Sequence, residues 1–109
     1  MTDKEAKELT LEMWRYLRDH PKIKSKKDLP TELWEKVRDL SFFCPLCELY
    51  NKECDYTVRC SGCPLDYVWN NCNQRGSAYE AWICAEFNED SRRHEAAREI
   101  VNIVRKWKV

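Results

Sequence analysis

Glycine is almost missing from this sequence: Gly62 and Gly76 are the only two in 109 residues. Without a glycine-rich turn there is no phosphate-cradling loop, and long flexible linkers are not expected. Histidine is equally scarce. His20 and His94 are the whole complement, and neither pairs with an obvious nucleophile, so both read as solvated rather than catalytic. No apolar run approaches the length of a membrane span. The opening residues, Met1 to Thr10, are polar and charged, unlike a secretory leader, which places the expected location in the cytoplasm. Charge of one sign is lacking too, since 19 basic side chains balance 19 acidic ones. A neutral chain exerts little long-range attraction on a polyanion.

Cysteine is what the chain has in excess. Six of its seven cysteines fall between residues 44 and 72. In a reducing compartment disulfides are disfavoured, and an odd count pairs badly, so metal-bound thiolates are the preferred reading. Cys44 and Cys47 form one C-x-x-C pair and Cys60 and Cys63 a second, with twelve residues between them. Each such turn lets two thiolates converge on one ion. Two turns complete a tetrahedral shell with no position left for water, the mark of a structural rather than a catalytic site. The expected cofactor is therefore one structural Zn2+ held by Cys44, Cys47, Cys60 and Cys63. Such binding, on the order of 10 kcal/mol at neutral pH, rivals the stability of a whole small domain. An iron–sulfur cluster is an alternative use of four thiolates, although the closely spaced ferredoxin run is missing. Cys72 is the main rival ligand: with a shorter helix after Pro64 it would replace Cys60 or support a second site with Cys54. Cys84 lies in an apolar helical stretch and reads as a small buried hydrophobe.

Around this centre the pattern is helical, so the fold class expected is mainly α, a small zinc-stabilised domain with a short β-hairpin or knuckle and a helical N-terminal arm. Thr2-Asp3-Lys4-Glu5 is a capping-box pattern that starts a helix carrying Ala6, Leu9, Met13, Tyr16 and Leu17, stopped by Pro21. Pro30 and Thr31 open a second, with Leu33, Val37 and Leu40 on one face. These two helices either form an antiparallel arm over residues 1–40 or pack on the rest. Residues 41–72 make the zinc module, with a hairpin turning at Tyr50-Asn51-Lys52 and a short helix after Pro64. Residues 77–109 follow as two helices, one begun by Ser77-Ala78-Tyr79-Glu80 and carrying Trp82, Ile83 and Phe87. The other begins near Asp90 or Ser91 and carries Ala97, Ile100, Val101, Val104 and Trp107. Trp82 and Trp107 read as core, whereas Trp14 and Trp34 lie off the main stripes and read as exposed, a candidate protein-binding pair.

The sequence from Cys44 to Asn71, with a knuckle, a hairpin and then C-x-x-C opening a helix, resembles the treble-clef class of zinc modules. The longer run Cys44-Pro45-Leu46-Cys47, Cys60-Ser61-Gly62-Cys63-Pro64-Leu65, Cys72 and Tyr79-x-x-Trp82 resembles small uncharacterised cysteine-rich proteins of phages and prophages. To that pattern this chain adds Cys54, Cys84 and the helical N-terminal arm. What the resemblance implies is a mobile-element origin and a stand-alone zinc protein that binds and blocks a host protein, anti-CRISPR inhibitors of defence nucleases among them. No enzyme activity, membrane or small-molecule substrate is expected. The alternative partner is nucleic acid, contacted by Lys22, Lys24, Lys26 and Lys27 and by Arg92, Arg93, Arg98 and Arg105. Against it stand the interleaved acids, because a charged outer face is the default for a surface helix.

Overall fold

A computed structural model describes residues 2–40, 45, 78–86 and 88–108. Among the described residues all regular structure is helical, and the chain is mainly helical: α1 (Asp3–Asp19), a 3-10 turn (Lys26–Asp28), α2 (Thr31–Val37), α3 (Ala78–Ile83) and α4 (Asp90–Lys106).

The start of α1 is a reciprocal capping box. Glu5 N–H donates to Thr2 Oγ1 at 3.1 Å and Thr2 N–H donates to Glu5 Oε1 at 3.2 Å, which satisfies two donors that a helix start would leave orphaned. Its end lies at Asp19, where His20 N–H reaches Tyr16 O and Pro21 follows. Ala6, Thr10, Met13 and Leu17, spaced four, three and four apart, are fully buried. The Thr10 hydroxyl is satisfied in that dry stripe by donating to Ala6 O at 2.6 Å.

α1 packs against α4, and α3 packs against α4 as well. Of the two placements expected for the first helix, α1 takes the packed one. Ala96, Ala97, Ile100, Val101 and Val104 of α4 meet Met13, Trp14 and Leu17 in one continuous cluster. Leu29, Leu33 and Val37 join it from the 3-10 turn and α2, and Ala78 and Trp82 from α3. Pro45 is described by itself, and its side chain is fully buried.

Three expectations about side chains are corrected. Trp14, expected outside, is 1 % exposed. The reason is that α1 is covered on two sides, by α4 and by the α3 aromatics, so its buried set rotates toward Thr10 and Trp14 while Leu9 and Tyr16 stay half-buried. Ile83, read with Trp82 in the apolar set of its helix, is 52 % exposed, because α3 ends there and its inward side is made by the buried Ala78 and Trp82 with the partly buried Tyr79 and Ala81. Cys84, expected to be buried, is exposed just beyond the same helix end. Trp34 and Trp107 are half-buried against the cluster, so Trp34 is only partly open and Trp107 is a core margin.

Candidate functional site

The four expected zinc ligands, Cys44, Cys47, Cys60 and Cys63, lie outside the described residues, as do the rivals Cys54 and Cys72, the hairpin turn and Phe87. Their fit to a metal rests on donor chemistry: four thiolates are soft donors of the kind that zinc and iron–sulfur clusters take, rather than the harder calcium and magnesium. Val37 and Ala78, described core residues before and after these cysteines in sequence, are both buried. Among the described residues no group of histidines, cysteines and carboxylates is placed to hold a metal ion.

Cys84 is the one cysteine described. The neighbouring Glu80 carboxylate, one turn earlier on α3, accepts a hydrogen bond from its thiol and repels the thiolate, which raises the thiol above its ordinary range. A thiol so held is a poor nucleophile and a poor metal ligand.

The cations expected to face nucleic acid divide into two groups. Lys26 is 5 % exposed, and its ammonium lies 5.5 Å from the Trp14 ring centroid and 5.0 Å from that of Tyr79. This contact with two aromatic faces compensates for lost water. It also fastens the lysine-rich loop to α1 and α3. Trp14 in turn meets Tyr79 edge-on at 6.0 Å and Trp82 at 5.4 Å. The Trp82 indole Nε1 is buried with no hydrogen-bond partner among the described residues.

Arg93 is buried at 1 % exposure, and its guanidinium fork is spent internally. Nε donates to Pro21 O, Nη1 to Glu86 O at 2.8 Å, and Nη2 pairs with Asp90. A cation in the first turn of α4 opposes the helix dipole, and the Asp90 carboxylate beside it offsets that cost. His94 adds a second tie at this end, with Nδ1 against Arg18 O at 2.8 Å, so it is partly buried rather than fully solvated. His20 is exposed and stacks on Tyr16 at 3.9 Å.

Lys22, Lys24 and Lys27 are exposed, and so are Arg92, Arg98 and Arg105. Arg98 pairs with Glu95 at 2.9 Å and Arg92 with Glu89 at 3.6 Å, so part of the outward positive charge on α4 is neutralised locally. A shallow groove of about 330 Å³ between α3 and α4 has Ala81 and Ala96 in its lining and Arg92, Glu95, Arg98 and Glu99 around it. Its charges alternate in sign, and among the described residues its lining holds no histidine, cysteine or hydroxyl nucleophile.

Fold and side chains together define a small helical protein whose four described helices enclose one aromatic-rich core. No protein family, characterised protein or solved structure matches the chain. Among the described residues no helix is long and apolar enough to cross a membrane.

Proposed function

We propose that this chain is a non-catalytic, zinc-stapled module of phage type that binds and blocks a host protein by occluding its surface. The observation that carries the reading is the pair of C-x-x-C motifs, Cys44/Cys47 and Cys60/Cys63, a closed donor set for one structural Zn2+. In this reading residues 41–72 form the zinc module, with its knuckle and short hairpin, mounted on the helices before and after it. The phage resemblance supports an anti-CRISPR inhibitor of a defence nuclease as the particular form.

Two features favour a protein over a nucleic acid as the partner. Lys26 and Arg93 turn inward, and Arg98 and Arg92 are paired with acids, which thins any phosphate-binding stripe. Exposed Lys22, Lys24 and Lys27 favour the alternative, a small zinc-containing nucleic-acid-binding protein.

The test is metal content by elemental analysis together with binding at low and high salt. One zinc per chain, with capture of a host protein that survives high salt and is lost when Cys47 becomes Ser, supports the module. Retention of DNA or RNA that collapses as salt rises supports the alternative. Visible absorbance with bound iron, or no metal at all, overturns the zinc reading.

A further inference from the structure

The outward face of α4 is built differently from the face that meets α1. Ala97, Ile100, Val101 and Val104 turn inward and are buried, whereas Arg92, Glu95, Glu99 and Asn102 are exposed. These four, spaced three, four and three apart, follow one stripe along the helix. The stripe borders the groove against α3, where Ala81 and Ala96 carry only methyl groups and let another backbone come close. Charge along it is unevenly settled. Arg98 is held by Glu95 at 2.9 Å, while Arg92 reaches Glu89 at a looser 3.6 Å. Glu99 has no cation paired with it among the described residues.

Alternating charge is common on surface helices and selects nothing by itself. The register here is particular. Arg92 and Glu99, seven residues apart, stand equally far, about 5 Å, to either side of the midpoint between Glu95 and Ala96. Glu89 and Asn102 stand about 10 Å to either side of the same point. A two-fold axis through that point, perpendicular to the helix, sets α4 antiparallel on a copy of itself. Arg92 then faces the partner's Glu99, and the Asn102 amide faces the partner's Glu89, with Ala96 beside the crossing. A patch that binds itself must be complementary under such an axis. The rim of the groove sums to zero charge, Arg92 and Arg98 against Glu95 and Glu99, which favours neither a polyanion nor a strongly basic partner. The whole chain is neutral as well, so two copies approach without net repulsion. We propose that the partner of this face is a second copy of the chain, docked as an antiparallel α4–α4 pair along the groove. Contact confined to one helix and its groove is smaller than a standard interface, so the dimer is reversible, with a dissociation constant on the order of 10–100 μM. α1 packs on the inward side of α4 and stays outside the contact. The pairing is independent of the zinc reading.

Sedimentation equilibrium of the full chain reads the association, under a reducing agent that keeps the exposed Cys84 from linking copies. Arg92→Glu places two carboxylates opposite each other, and Glu99→Arg places two guanidinium groups opposite each other. Each variant alone should dimerise on the order of tenfold more weakly than the wild type. Mixed in equal amounts, the two variants are complementary at both contacts, and the mixture should regain wild-type association as a heterodimer, identified by native mass spectrometry. The R92E/E99R double variant should regain it alone. Both positions are exposed, and helical circular dichroism checks that each variant is folded. A wild-type chain that stays monomeric up to millimolar concentration overturns the proposal. So does a dimer that neither single variant weakens, or a pair of weakened variants that fail to rescue each other.

Discussion

Trp14 stands at a junction of the core: two aromatic rings meet it edge-on, and a lysine ammonium lies over its face. Truncating it opens a cavity in a close-packed interior and leaves Lys26 buried with half of its aromatic support. Trp14→Ala is expected to cost about 3–5 kcal/mol, and Trp14→Phe distinctly less, as measured by chemical denaturation. At the other extreme of exposure, Cys84 is held protonated by Glu80. Glu80→Gln removes the repulsion of the thiolate, so Cys84 should react with iodoacetamide several-fold faster at neutral pH, followed by peptide mass spectrometry. An unchanged rate would mean that Glu80 does not govern this thiol. Glu5 titrates in the opposite sense. Hydrogen bonds from Thr2, side chain first and backbone second, hold its carboxyl below the ordinary value of 4.5. A lowered folded value means that the capping box contributes fully above pH 4.5 and fades as pH falls through the folded value. The stability gap between the wild type and Thr2→Ala should therefore be widest at neutral pH and shrink in acid, read from urea melts at both.

Among the elements, the polar tie between the start of α4 and the turn after α1 is made by Arg93, with His94 beside it. Arg93 supplies donors to Pro21 O and Glu86 O, two carbonyls that no helix satisfies. Arg93→Met takes this donor from Pro21 O and leaves Glu86 O with the Glu89 N–H alone, which should cost roughly 2 kcal/mol, and Arg93→Lys should recover only part of it, because one ammonium cannot span two separated carbonyls. Helix boundaries were legible beforehand for local reasons: the Thr2/Glu5 box, Pro21 after α1, Pro30 before α2, and the start of α4 at Asp90 all act within a turn of where they stand. The inward faces of α2 and α4 were legible too, since Leu33, Val37, Ile100 and Val104 follow one helical stripe. Trp14 was not, because its burial depends on α3, sixty residues away in sequence, covering a second side of α1. Lys26 and Arg93 hide for the same kind of reason. In sequence each belongs to a run of like charges, and only the approach of Tyr79 or Pro21 distinguishes it from its solvated neighbours.

For the whole molecule, the described helices carry one core cluster, and the proposed zinc ligands lie outside the described residues. A chain held together solely by its metal would unfold on chelation, as small zinc fingers do. Here the described helices share a core cluster with no cysteine in it. The proposed metal set rests on C-x-x-C spacing alone, a local signal, while a partner leaves no comparably local mark. The exposed Lys22, Lys24 and Lys27 and the alternating charges of α4 are shared by many surface helices and name no ligand.

The Trp14–Trp82 pair gives the protein a built-in optical gauge. Two indoles 5.4 Å apart and 84° from coplanar, one from α1 and one from α3, interact in their excited states in a way that fades steeply with separation. Trp82 lies five residues beyond the end of the cysteine-bearing stretch, while Trp14 belongs to the opposite flank. Their joint near-ultraviolet dichroism therefore reports, without any label, whether α1 and α3 stay clasped when a chelator is added or a cysteine between them is replaced.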